Sequence, residues 1–267
     1  MIDSLLIYIA HVPLAIAVPA AIVLSLMLSL IGTYIPNSIY TYPELAANNQ
    51  IVGIKFGFFG EIFAISLGLA MIGAYSLYVD VKSTSISEVS SLRALYYSIE
   101  SADKAAPNPG EALMKQAVLD YTRSVVDDEW RLMAENQMSA KTTQRLSDLF
   151  KAFQAHSDEN ILNASQLGWL GEVVKARGER TSTSIRSLSI LIWIILGIGT
   201  GLSIIVPLFV GSENFVTQAV MSSVFSAYII LHLLVIIHLA FPFMGDVAVT
   251  ASVYIDFINE IGGLPPP

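Results

Sequence analysis

Four stretches, Leu5–Ile35, Ile51–Val79, Leu188–Val210 and Phe215–Phe243, are almost free of charged residues. Each is long enough to cross the ~30 Å hydrocarbon core of a bilayer as a helix rising about 1.5 Å per residue. No water reaches that core, so backbone N–H and C=O groups must satisfy one another within the segment, and each run is expected to be helical. Composition agrees: 54% of the 267 residues are hydrophobic and 13% charged, against roughly a quarter charged in soluble domains. The first run has no Lys or Arg before it and far exceeds the ~7–15 apolar residues of a secretion signal, so it is read as a retained span. Pro13 and Pro19 should bend or interrupt it. The connection from Pro36 to Gln50 holds Pro36, Asn37, Pro43, Glu44, Asn48 and Asn49 and reads as irregular.

Of the 14 Lys and Arg residues, 13 fall between Asp80 and Arg186, and the exception is Lys55. Basic residues stay on the cytoplasmic side, so this segment is expected there, which places both termini there too. The expected organisation is a first transmembrane helix pair over 1–79, a cytoplasmic helical domain over 80–186, a second transmembrane pair over 187–243 and a cytoplasmic tail over 244–267. Acidic residues nearly balance the basic ones in the central domain, so it is no polybasic lipid-binding patch.

The central pattern is helical. Leu92, Leu95, Tyr96 and Ile99 recur at helical spacing, as do Leu113, Ala117, Leu119, Val125 and Val126, then Leu146, Leu149, Phe150 and Phe153. Pro107 to Gly110 marks one turn and Asn136 to Ser139 a weaker one. A last helix over about Ser157 to Arg180 should run toward the third span, and no turn cluster separates the domain's first and last helices from the second and third spans. Continuous helices are therefore expected at both junctions. Trp130 should anchor its helix in the domain core while Asp127, Asp128 and Glu129 face water. No β alternation of useful length appears, and the fold is expected to be all-α.

The formal charge of −8 argues against nucleic acid, whose binding needs Lys and Arg to neutralise phosphate. The absence of cysteine removes disulfides, thiolate metal sites and thiol nucleophiles. No nucleophile with its base and no Gly-rich phosphate loop is present, so neither enzymatic activity nor a cofactor is expected.

Ionisable residues inside spans are costly and mark pathways or buried pairs. Here they are His11, Lys55, Glu61, His232 and His238. Lys55 lies near the outer end of its span and can snorkel. Glu61, the one acid within a span, lies about 15 Å from Ile51 along a continuous helix; it either packs as a hydrogen-bonded carboxyl or lines a cation path, with His232 as a possible partner. His11 and His238 lack further ligands at helical spacing, and no metal site is expected. Gly53, Gly57, Gly60, Gly68 and Gly73, with Gly197, Gly199 and Gly201, sit at spacings that let another helix approach.

Glu88-x-x-x-Leu92, Tyr121-Thr-Arg123 through Asp128-Glu129-Trp130, Arg177-Gly-Glu-Arg180 and Pro242-Phe243-Met-Gly245-x-x-x-Val249 resemble the bestrophin-like domain family of bacterial and plastid membrane proteins. The resemblance covers roughly Ile51 to Phe257. Two positions before the Pro-Phe, where the family has an acidic or amide residue, Ala240 stands. The resemblance implies a bestrophin-like fold in a bacterial inner membrane. It also implies a homo-oligomeric ring, such as a pentamer, conducting small ions along its second span, where Phe56, Phe58, Phe59 and Phe63 could form an apolar constriction. The acidic run of a calcium clasp is absent, so calcium control is not expected. The competing reading is a non-conducting membrane subunit or scaffold whose cytoplasmic helices bind a partner protein.

Overall fold

A computed structural model describes residues 2–47, 49–100, 109–155, 164–185 and 188–262. Among them there are helices and turns but no strand. In chain order the helices are α1 (Ile2–His11), α2 (Leu14–Ile39), α3 (Tyr42–Ala46), α4 (Asn49–Glu100), α5 (Pro109–Ser124), α6 (Trp130–Ala134), α7 (Ala140–Ala155), α8 (Ala164–Ile185), α9 (Ile190–Ile205), α10 (Phe215–Ala240) and α11 (Ser252–Glu260). A π-helical turn, Val125–Glu129, joins α5 to α6, and a 3-10 turn, Val206–Phe209, follows α9. Two compact units form: Met1–Ser76 with Leu188–Val247, and Leu77–Ser187 with Ala248–Pro267.

Among the described residues, four helical stretches are long and apolar enough to cross a membrane: Leu14–Ile39, Asn49–Ile99, Ile190–Phe209 and Phe215–Ala240. In the first unit, Pro13 stands between α1 and α2 and stops the helix, whereas α2 runs on through Pro19 and Pro36. The chain returns in the turn after α10, where the Asp246 carboxylate accepts from the Leu14 backbone N–H at 2.8 Å and meets the positive end of α2. Gly245 makes that turn possible: its φ is +72°, and a Cβ there would collide with the Ala10 carbonyl. α2 and α10 pack through short side chains. Ala17, Ala21, Ser25, Ser29 and Thr33 recur at every fourth position of α2 and are buried, and Ser29 donates to Ser226 across the seam at 3.4 Å. Small residues allow such close approach without any help from the hydrophobic effect.

The connection read as irregular contains the short helix α3. Its start is a capping box in which the Thr41 backbone N–H and hydroxyl both donate to Glu44 Oε2, at 2.7 and 2.9 Å. At the third span the expected continuous helix is interrupted, because Ser189 is extended (φ −52°, ψ 140°) and its side chain accepts from Leu191 N as the N-cap of α9. At the second span the expectation agrees with α4, a single helix of 52 residues.

In the second unit, Val89, Leu92, Leu95 and Ile99 of α4, Val118 and Tyr121 of α5, Leu149 and Phe153 of α7, and Leu170 and Val173 of α8 share one core with Tyr254 and Phe257 of α11. Leu113, expected on this face, is 56% exposed; the core stripe of α5 passes through Met114, Val118 and Tyr121 instead. Asn136 takes φ 57° in the turn before α7, a conformation Asn tolerates, and Ser139 Oγ accepts from Thr142 N at 3.0 Å. The Pro107 to Gly110 turn lies partly outside the described residues, as does the start of the helix expected from Ser157.

Candidate functional site

Within the first unit α4 has two faces. Phe63, Leu67, Ala70 and Ala74 are spaced by three or four residues and are buried in the core with Trp193, Leu196 and Ile236. Phe63 packs against Gly199 of α9, where any Cβ would strike its ring. Phe59 stacks parallel to Phe63 at 6.1 Å and Phe56 meets Phe225 edge-on at 6.2 Å. All three phenylalanines thus turn toward neighbouring helices of their own chain.

The opposite face is open. Gly53, Gly57, Glu61, Ala64, Gly68 and Ile72 are exposed, and a Cβ built on Gly53, Gly57, Gly60 or Gly68 meets nothing within 4 Å. Glu61 makes no hydrogen bond or ion pair among the described residues, and neither does Lys55, which is also exposed. His232 is half-buried; its Nδ1 lies 2.9 Å from the Tyr228 carbonyl and its ring rests on Tyr228 at 4.1 Å, so it is occupied within its own helix rather than with Glu61. His11 and His238 are bonded one turn back in the same way, to Ile7 O and Leu234 O.

The second unit holds a buried charge cluster that no sequence expectation placed there. Arg180 and Glu88 are fully buried, and Arg180 Nε donates to Glu88 Oε2 at 3.0 Å. Arg180 Nη2 reaches Glu129 Oε2 at 2.9 Å, and Arg177 Nε donates to Glu129 Oε1 at 3.0 Å and Nη2 to Thr143 Oγ1 at 2.9 Å. Tyr121 and Tyr254 donate their hydroxyls to the two oxygens of Glu88 at 2.6 and 2.8 Å. The Arg180 guanidinium lies between Trp130 and Tyr254, 5.4 and 5.5 Å from their ring centres. Glu129, expected to face water, is instead fully buried: the π turn that ends on it brings it to face both arginines. Trp130 anchors as expected, donating Nε1–H to the Val249 carbonyl at 2.9 Å.

Two acids and two arginines balance, and their hydrogen bonds replace lost hydration, which is the condition for keeping charge inside a protein. Burial and the neighbouring Glu88 charge push the Tyr121 phenol well above its ordinary range. Burial likewise raises Tyr254, with Arg180 opposing and Glu88 reinforcing. For Arg180, burial alone would lower the pKa, but Glu88, Tyr254 and Glu129 together raise it further, so it stays charged. The cluster joins α4, the π turn, α8 and α11. With its lone pairs committed internally, its chemistry is structural.

Those residues decide the family. Glu88, Tyr121, Glu129, Trp130, Arg177 and Arg180 carry the resemblance noted in the sequence, and they converge on one cluster. The family model for the bestrophin-like domain matches residues 23–254. The chain belongs to the bestrophin-like family. No curated protein matches it in sequence. Among solved structures, a single-residue variant of a bacterial bestrophin homologue from Klebsiella pneumoniae is similar with a TM-score of 0.73 at 14% identity, covering 90% of this chain and 99% of that one. The same homologue solved by zinc phasing is similar with a TM-score of 0.71 at 14% identity, covering 91% and 100%. This bestrophin-like chain therefore shares the fold of those homologues and, with its apolar helices, is an integral membrane protein.

Proposed function

We propose that this protein is a homo-oligomeric ion channel of the bilayer, with the open face of α4 lining the path, and with residues 80–186 and both termini in the cytoplasm. The observation that carries the reading is Glu61. A carboxyl at mid-span costs at least about 2.5–3.5 kcal/mol in lipid, yet within one chain it stands bare beside glycines that leave room for another helix. Further copies of the same chain, arranged so that Glu61 meets water at their common axis, remove that cost and cover the glycine stripe at once. Closed rings of identical subunits are the ordinary outcome of such one-sided self-contact. A ring of carboxylates at that depth favours cations over anions by its charge. Phe56, Phe59 and Phe63 then serve as the packing that fixes the angle of α4 toward the axis.

The test is conductance of the purified protein in planar bilayers, together with its oligomeric state by native mass spectrometry. Unitary currents from a closed oligomer support the reading. A monomer, or an oligomer with a dry axis and no current, favours the scaffold whose cytoplasmic helices bind another protein. The chain has no cysteine, so a Ser98→Cys variant tests sidedness: protection from an impermeant reagent outside intact cells is expected, and labelling would reverse the topology.

A further inference from the structure

The short helix α1 presents three kinds of surface. Leu6 and Ala10, one turn apart, are buried in the core that holds Ile236, Ile237, Ala240 and Phe241 at the end of α10. Around the helix from them, half-buried Ile9 leads to Leu5 and Tyr8, which are 61% and 72% exposed. Beyond Tyr8 come Ser4 and His11, two turns apart on one line of the helix and both exposed. Tyr8 therefore stands between an uncovered apolar flank and a polar line. Residues 2–11 contain no Lys or Arg. The end of α1 is tied to the membrane-spanning part of the chain. Pro13 is extended (ψ 137°), so the chain turns before α2 starts. The Asp246 carboxylate holds Leu14 N–H, and Gly245 lies against the Ala10 carbonyl. The end of α1, the start of α2 and the turn after α10 thus meet at one level. Ile16 of α2 is 61% exposed, so uncovered apolar surface runs across Pro13 from a span onto α1.

We infer that α1 is an interfacial anchor whose Leu5–Tyr8 flank seats in the headgroup–acyl boundary of the bilayer, with Ser4 and His11 turned to water. A helix with an apolar flank beside a polar line is the kind that lies in the plane of that boundary. Tyr8 occupies the position an interfacial aromatic takes, its ring toward the acyl chains and its hydroxyl toward the headgroups. The occupant of the flank is lipid because α2 begins within three residues of His11 and holds α1 at the bilayer, which makes the contact effectively intramolecular. With no basic side chain to draw it to anionic headgroups, the attraction is hydrophobic and neutral lipid suffices. The water–lipid boundary then crosses the fold at the level of the Asp246–Leu14 bond. None of this depends on whether α4 lines a conducting path.

The experiment is electron paramagnetic resonance of the full-length protein in phosphatidylcholine vesicles, with one nitroxide at a time on Ser4→Cys, Leu5→Cys or Tyr8→Cys; the chain has no native cysteine to compete. At Leu5 and Tyr8, collisions with oxygen, which concentrates in lipid, should exceed those with a water-soluble nickel chelate several-fold, at a depth of about 5–10 Å below the headgroups. At Ser4 the preference should reverse. A Tyr8→Trp variant gives a second reading without a label: the fluorescence it adds to that of the three native tryptophans should be quenched more by lipids brominated near the headgroup end of the chain than near the methyl end. Three results would overturn the anchor: nickel-accessible Leu5, which puts the flank in water; Leu5 and Tyr8 shielded from both reagents, which gives the flank to a second copy or another protein; and a depth near the bilayer centre, which makes α1 part of the span. A depth reached only when phosphatidylglycerol is added would assign the contact to headgroup charge and overturn it as well.

Discussion

Arg180 and Glu88 bond to each other across 92 positions of sequence with neither side chain reaching solvent. Removing one partner of such a pair leaves the other charge buried and uncompensated. Glu88→Leu should therefore cost about 3–5 kcal/mol, read as a lowered thermal unfolding midpoint of the purified protein. Arg180→Met should cost a similar amount. The double variant should lose less than the sum of the two; strict additivity would show that the pair is not coupled.

Tyr121 and Tyr254 give the protein an alkaline limit. Both phenols are held neutral above their ordinary range in the fold, whereas in the unfolded chain they ionise near pH 10. Their contribution is fully present below that value and is lost as pH rises beyond it, because the unfolded state alone releases the protons. The unfolding midpoint should fall steeply above about pH 10. In an ultraviolet titration, two of the 11 tyrosines should ionise only as the protein unfolds, and Tyr121→Phe with Tyr254→Phe should remove that delayed step.

Gly199 and Gly57 separate packing inside one chain from packing between chains. Gly199→Ala should destabilise the protein by about 1–3 kcal/mol through overpacking against Phe63, and Phe63→Leu should relieve it in combination. Gly57→Leu meets nothing in its own chain. It should leave helix content intact while shifting native mass spectra toward smaller assemblies, and an unchanged assembly would take the glycine face away from the subunit contact.

Glu61→Gln should leave the assembly intact and lower the cation-to-anion permeability ratio several-fold, measured as reversal potential under a salt gradient. An unchanged reversal potential would remove Glu61 from the path.

Much of the fold could be read from the chain, because runs of twenty apolar residues need no knowledge of faces to be recognised. The faces themselves were hidden for the same reason. Along Ile51 to Val79 nearly every side chain is apolar, so nothing in the pattern told Phe63 from Phe58, although one is buried at 7% exposure and the other open at 65%. The charge cluster was concealed differently. Arg177-x-x-Arg180 looks like a solvated helix face, and Glu129 follows two other acids. One signal was available: Val81, Ser85, Glu88, Leu92, Leu95 and Ile99 follow the three-and-four spacing of a single buried stripe, which puts Glu88 inside before any partner is known. The break at Ser189 was also legible, as a serine capping an apolar helix.

The π turn at Val125–Glu129 bears on which insertions and deletions the gene can accept. Such a turn amounts to an ordinary helix carrying one surplus residue, and helices tend to shed that surplus. A deletion of Val126 would close the turn as an ordinary helix with α5 and α6 near their present facing, whereas one more inserted residue would exceed what the turn holds, rotate everything beyond it by about 100° relative to α5 and carry Glu129 away from both arginines. The same segment should therefore tolerate substitution at its exposed Asp127 and the loss of Val126 better than the gain of a residue, and an insertion scan across α5 to α6 should find a sharp loss of folded protein there.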